Sequence, residues 1–525
     1  MALFSVRGYT VSWPLVGSLI AILIGREIWR LSYFKRRGVK GPSANPLFGN
    51  ALQIMQSVPG FFLKCQENFG TVFGVFMFRS PCYVVSDPDM IRDITVRGFP
   101  NFVNHQSITL KNRPLDKALS NLRDQHWKDV RNVITPTFSG HKMKLMSPLI
   151  NECVDDLVEN FREVQNRDGE VNICKLYEAF TMDTIARCAF GIQVHSQKNP
   201  DDPFVTNAKA IMNANPMQLK LILAGLCPPF AHLLNFLDIA AFPQSVKLFF
   251  RDVVKKTMDM RSTNVERKDF LQLMMKAHED QDEEVVEKKK DDETDLHDLV
   301  DKDHDAGVFG SKKTKKAKLT LEELFAQGTL FFAAGYETTN IALTYVTYCL
   351  ATNPDVQDQL VREIEDVAPT RESVNYSNVA KMGYLDNIVC ETLRLYPPIL
   401  ITDRMCGETY TYNGITIPKG MQVAIGIYIT HYNPAIWEDP TRFDPNRFTK
   451  ENREKRHPFA WIPFGAGPRN CIGMRFALME VKMAIIRLLQ NYRVETCPNT
   501  EIPAKIGKTS VKPDNGIVLR VVERS

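Results

Sequence analysis

The chain carries one apolar run that the rest of the fold has to be built around: LEELFAQGTLFFAAGYETTNIALTYVTYCLATNP, from Leu321 until Asn353-Pro354 stops it. Thr320 can cap its start, and Glu323 three residues on completes a capping box. About 30 residues at 1.5 Å each predict a helix roughly 45 Å long, enough to cross a domain. Hydrophobic nearly all round, such a helix must be buried. Its middle is the anomaly. In AAGYETT, Ala333 to Thr339, Gly335 gives up helix propensity and Glu337 would bury a charge, while Thr338 can compete for the carbonyl one turn earlier and open the ladder. Packing explains the glycine and one threonine but not the glutamate. An acid beside a hydroxyl at a locally widened helix suits a pocket that receives a small polar ligand and relays protons to it.

Around this helix the pattern is helix-rich with minor sheet. TVFGVFMFRSPCYVVSDPDM, Thr71 to Met90, predicts two strands broken at Ser80-Pro81 and Asp87-Pro88. Helical periodicity then holds from about Asn121 to the late 390s, and TYTYNGITIPKG places a hairpin turn at Asn413-Gly414. The acidic and basic blocks of residues 279–318 hold few apolar positions and predict a solvated, partly disordered connector. A net charge of +4 over 525 residues is too small a bias to argue for nucleic acid. The 11 cysteines stand singly, with neither the CxxC pairs of a zinc site nor the density of a disulfide scaffold, as in a cytosol-facing protein.

At the amino terminus no charge interrupts GYTVSWPLVGSLIAILIG, Gly8 to Gly25, a stretch close to the ~20 residues that span a bilayer as helix. Arg26, Trp29, Arg30, Tyr33, Phe34 and then Lys35, Arg36 and Arg37 follow as an aromatic belt and basic flank, which predicts an uncleaved anchor with everything downstream in the cytosol. Pro42 and Pro46 make residues 41–50 a stiff, non-helical linker.

Two further patterns carry chemistry. In YLDNIVCETLRLYPP, Glu391 and Arg394 are three apart on one helix face, and Arg447 in FDPNRF offers a second guanidinium; a glutamate between two arginines makes a structural lock. In PFGAGPRNCIGMRF, Gly465, Gly467 and Gly473 let the backbone turn and approach a flat partner, Pro468 fixes the bend, and Arg469 points a charge at an anion. Helical periodicity begins at Met474, so Cys471 lies just before a helix amino terminus, where backbone N–H groups stabilise a thiolate. Haem iron with a cysteine axial ligand fits this pattern. A nucleophilic or redox cysteine competes with it, although no local spacing supplies a histidine partner.

FGAGPRNCIG (Phe464 to Gly473) resembles the haem-binding signature of cytochrome P450. AGYETT (Ala334 to Thr339), ETLR (Glu391 to Arg394), PNRF (Pro445 to Phe448) and WKDVR (Trp127 to Arg131) resemble that family's oxygen-activation, ExxR, PxRF and WxxxR motifs, in family order. The wording is most similar to the family-3 microsomal branch. The resemblance implies a mainly α P450 fold with small antiparallel sheets behind an N-terminal transmembrane anchor: residues 1–40 anchor and basic flank, 41–50 linker, 51–525 cytosolic haem-thiolate catalytic domain. It implies haem b, with Cys471 as iron ligand, Trp127, Arg131, Arg404 and Arg469 on the propionates, and Phe464 beside the thiolate. Thr338 and Glu337 serve dioxygen binding and proton delivery; Glu391, Arg394 and Arg447 are structural. Phe331, Phe332, Ala334, Ile399 and Leu400 line the substrate pocket, and residues 216–242 roof it and dip into the membrane. The implied activity is insertion of one oxygen atom from O2 into a lipophilic substrate of drug, steroid or fatty acid type at the endoplasmic reticulum. Electrons come from an NADPH-dependent flavoprotein reductase, with cytochrome b5 as a further partner, attracted by Lys128, Arg131, Arg475 and Lys482. The alternatives are a reductase-independent isomerase or dehydratase acting on a peroxide, and a non-catalytic haem- or sterol-binding membrane protein.

Overall fold

The computed structural model describes residues 3–6, 9–106, 115–199, 202–212, 228–237, 244–261, 270–279 and 319–524. The connector expected at 279–318 lies outside them except for Glu279, as does most of the apolar run 216–242. The central helix spans Leu321–Thr352, and its capping box is formed: Glu323 N donates to Thr320 Oγ1 at 3.2 Å and Thr320 N to Glu323 Oε2 at 2.7 Å. The next helix begins at Pro354. Through Ala333–Thr339 the central helix stays α-helical, without the expected widening.

Its main partners are the helices Ile173–Phe190, Met474–Asn491 and Gly383–Leu395. A Cβ at Gly335 would come 3.0 Å from Ile185 Cδ1, and one at Gly328 3.1 Å from the Phe190 ring, so both glycines let the helix Ile173–Phe190 cross closely. Close approach thus accounts for Gly335. The helix Gly140–Gln165 packs on both Ile173–Phe190 and Met474–Asn491, which encloses the apolar core.

Four strands form the largest sheet, in the order Val72–Met77, Ser80–Val85, Gln422–Gly426, Ile401–Met405; only the middle pair is parallel. The hairpin turns at Phe78 and Arg79, not at Ser80-Pro81, and Phe78 has φ +52°. Pro81 is tolerated inside the strand because parallel pairing begins one residue later, at Cys82 with Gln422. Asp87 caps the short helix Pro88–Arg92 by accepting from Met90 N at 2.9 Å. The hairpin Tyr410–Tyr412 with Ile415–Ile417 turns at Asn413 and Gly414, both at positive φ as its turn type requires.

The amino terminus departs from expectation. A hairpin, Leu3–Val6 with Tyr9–Ser12, precedes a helix at Trp13–Leu31 that includes Arg26, Glu27 and Arg30. Its uncharged part, Trp13 to Gly25, rises only ~20 Å against a ~30 Å hydrocarbon core. No helix among the described residues is long and apolar enough to cross a membrane. The following segment, residues 41–50, is non-helical, and it lies against the sheet. Phe34 is buried against Phe76 and Tyr83, and Asn50 Oδ1 accepts from Phe76 N at 2.9 Å, so residues 34–50 dock on the sheet.

Candidate functional site

The cysteine loop is shaped by two glycines at positive φ, Gly465 at +73° and Gly467 at +69°. A Cβ on Gly467 would stand 1.9 Å from Thr95 O, so no side chain fits there. Cys471 N donates to Phe464 O at 2.8 Å and closes the loop, and the helix Met474–Asn491 follows with Gly473 as its N-cap. Accessible surface makes Cys471 exposed, although protein surrounds it closely enough to disfavour its charge. Burial pushes its pKa up, against the Gly473 N–H and the Arg131 charge, which favour the thiolate. At Gly473 a Cβ would meet no protein atom nearer than 3.9 Å, so protein packing does not explain that glycine.

Arginines from three distant segments gather near this loop. Arg131 lies one helical turn after Trp127 on the helix Asp124–Ile134 and donates to Asn470 Oδ1 at 2.9 Å. Arg469 stacks over the Trp127 ring at 4.0 Å and donates to the carbonyls of Val103, Leu119 and Leu122. Arg404, on the strand Ile401–Met405, is buried and donates to Asp403 O at 2.7 Å, but its Nε finds no partner. Burial lowers the Arg404 pKa to about 10; burial and then repulsion from Arg404, Arg131 and Arg123 lower that of Arg469 to about 9. Asp403 and Asp124 offset only part of this.

His105, which no sequence pattern marks, joins the cluster 3.3 Å from Asp403 Oδ1 and 3.5 Å from Arg404. Burial is the main cause that lowers its pKa. Crowded, partly buried cations with an orphaned N–H call for anions. One thiol in a glycine loop beside such a cluster fits a haem, with a single sulfur donor for iron and cations for two carboxylates.

Along the central helix, Thr338 Oγ1 donates to Ala334 O at 2.6 Å, the back-bond expected from its position. Glu337 is not the buried charge expected. It is half-buried, and Lys512, 175 residues on, donates to its Oε1 at 2.8 Å. Ala334 is exposed in the middle of this otherwise buried helix. A pocket of about 380 Å³ brings Glu337 and Thr338 together with Ile399, Leu400, Thr509 and Ser510. Phe331 and Phe332 do not line it. Phe332 is fully buried among Phe204, Phe250 and Tyr336, and Phe331 packs with Phe138 and Phe270, so both are aromatic core.

The lock is built, but unevenly. Arg394 grips Glu391 with two bonds, at 2.7 and 2.8 Å, and spends further donors on the carbonyls of His431, Pro440 and Arg442. Arg447 Nε stands 3.4 Å from Glu391 without a hydrogen bond. Lys482, expected on a partner-binding face, is instead fully buried on Asp386 at 2.7 Å, which Arg453 also holds.

A family model described as Cytochrome P450 matches residues 39–521. Cytochrome P450 3A29 of Sus scrofa is 36% identical over 98% of this chain and 97% of its own length. Cytochrome P450 3A6 of Oryctolagus cuniculus is 35% identical with the same coverage. Cytochrome P450 3A7 of Homo sapiens is 35% identical over 90% of this chain and 88% of its length.

Proposed function

Because the chain belongs to the cytochrome P450 family, monooxygenases that use haem iron, O2 and electrons from a redox partner, we propose that it oxygenates a lipophilic substrate with electrons from an NADPH-dependent flavoprotein reductase. The net reaction is RH + O2 + 2 H⁺ + 2 e⁻ → ROH + H2O. The observation that carries this reading is Cys471, held in its glycine loop by its own N–H on Phe464 O, with Arg131 bonded to the neighbouring Asn470 and Arg469 two residues before it. Haem, when bound, supplies dioxygen binding and O–O cleavage, which a thiolate ligand favours.

The chain's own residues do the rest. Cys471 would supply the iron ligand, and Phe464, whose carbonyl accepts from Cys471 N, would flank it. Arg131, Arg404, Arg469 and Trp127, with His105, would hold the two propionates when haem is bound. Glu337 and Thr338 at the pocket hold and pass protons, while Ile399 and Leu400 give an apolar wall that turns water away. Glu391, Arg394 and Arg447 keep the scaffold in register. The helix Trp13–Leu31, with Leu19, Ile22, Ile28 and Trp29 exposed, holds the protein at the endoplasmic reticulum membrane. The catalytic body then faces the cytosol, where cytochrome b5 is a second candidate donor.

The test is the carbon monoxide difference spectrum of the dithionite-reduced, detergent-solubilised protein beside Cys471→Ser. A strongly red-shifted Soret band in the parent, lost in the variant, is expected. A parent that folds but lacks the band would sink the assignment.

A further inference from the structure

Three segments distant in sequence meet beside the polar middle of the central helix. Glu178 comes from the helix Ile173–Phe190, Tyr336 and Glu337 from the central helix, and Lys512 from the loop before the last strand. Tyr336 donates its hydroxyl to Glu178, and Lys512 Nζ donates to Glu337 Oε1 at 2.8 Å. The charge of Glu178 also acts on Lys512.

The loop presents Lys512 from a fixed base. The Lys512 carbonyl accepts from Gly507 N at 3.0 Å, its N–H donates to Ser510 Oγ at 3.2 Å, and the carbonyl of Val511 accepts from Tyr345. Tyr345 is itself buried and stacked on Tyr396 at 3.8 Å. The ammonium therefore has a rigid mount at the backbone and a flexible stem, which suits holding a carboxylate at one place while letting it move. Thr338 meanwhile keeps its hydroxyl on Ala334 O, so acid and alcohol are neighbours that do not bond each other. With Lys512 38% and Glu337 31% exposed, the pair is accessible to water, and Glu337 also lines the pocket.

We infer that Lys512 is a positioning residue for oxygen activation: it keeps the Glu337 carboxylate at the pocket edge beside Thr338, where without it the carboxylate would turn out to water. The inference rests on the reading of Glu337 and Thr338 as the proton-delivering pair.

It is tested in the reductase-reconstituted holoenzyme supplied with NADPH and O2, by how electrons divide between peroxide (O2 + 2 H⁺ + 2 e⁻ → H2O2) and water (O2 + 4 H⁺ + 4 e⁻ → 2 H2O). This readout needs no identified substrate. Lys512→Met, with Lys512→Gln as a second variant, should raise the peroxide-to-water ratio about 3- to 10-fold, below the ~100-fold that removal of a general acid brings. Lys512→Arg should restore most of the parent ratio. Because Lys512 acts through Glu337, Lys512→Met should add nothing to Glu337→Gln. Amide exchange across residues 334–341 of the holoprotein should quicken in Lys512→Met and not in Lys512→Arg. A raised ratio in Glu337→Gln with a parent ratio in both Lys512→Met and Lys512→Gln would overturn the inference and leave the role of Glu337 standing. A parent ratio in Glu337→Gln would overturn both.

Discussion

Glu391 and Glu337 meet their cations at nearly the same distance, 2.7 Å to Arg394 and 2.8 Å to Lys512, and are opposite devices. Both members of the first pair are wholly buried; those of the second are about one-third exposed. Arg394 is also bonded to three backbone carbonyls and lies 5.0 Å from the Trp437 ring centroid, so nothing in that pair can move without leaving a buried charge. Lys512 and Glu337 can part and be rehydrated at small cost. Distance is the same; burial decides whether an ion pair is a rivet or a working contact.

The largest effect should come from breaking the rivet. Arg394→Met leaves the buried Glu391 without its two charged hydrogen bonds, with Arg447, not hydrogen-bonded to it, as its remaining charge partner, and should cost about 3–5 kcal/mol, enough to abolish the carbon monoxide band together with cooperative thermal unfolding. An Arg394→Met protein with parent-like unfolding would erase the contrast drawn here.

Next in size is the acid limb beside the same lock. His431 is fully buried, its Nε2 accepts from Ile462 N at 2.9 Å, and burial with the nearby Arg394 charge lowers its pKa from 6.5 to about 3. Below pH 6.5 the unfolded chain takes up a proton that the folded one refuses until about pH 3. Stability should therefore fall as pH drops through that window, by up to about 1.4 kcal/mol per pH unit. His431→Asn should flatten the slope in urea unfolding measured from pH 7 to pH 5, whatever it costs at neutrality.

The smallest effect belongs to the working contact. Lys512→Met should change unfolding free energy by less than about 1 kcal/mol, as for other exposed pairs, while still raising the peroxide share. Although burial alone would lower the Lys512 pKa, the Glu337 carboxylate raises it above 10.5. Its contribution is thus complete below that pH and fades as pH climbs past it, the reverse of the His431 limb. A large loss of stability in Lys512→Met at neutral pH would make it a second rivet.

Much of this was legible from residue pattern. The central helix, its capping box, the Asn413-Gly414 hairpin and the helix start at Met474 follow from local rules: periodicity, caps and turn chemistry act within a few residues. Of the three glycines read as turn formers, Gly465 and Gly467 take positive φ while Gly473 does not. Phe331 and Phe332 were not separable from pocket residues, because an apolar side chain on a helix buried all round carries no mark of which neighbour it meets. His105 and Lys512 escaped for another reason. Each sits in an unpatterned loop, and its partners, Asp403 and Arg404 for one and Glu337 for the other, lie 175 to 299 residues away.

The sequence by itself determined the central helix, the Asn413-Gly414 hairpin and the helix start at Met474, and it pointed to the chemical kind of the site, since these rest on short-range geometry and on residue type. Tertiary structure alone decided the charge environment. It buried Lys482 on Asp386, drew Arg131, Arg404, Arg469 and His105 into one cluster, and gave Glu337 a cation. Electrostatic energy depends on distance and on burial in space, and neither is a function of separation along the chain.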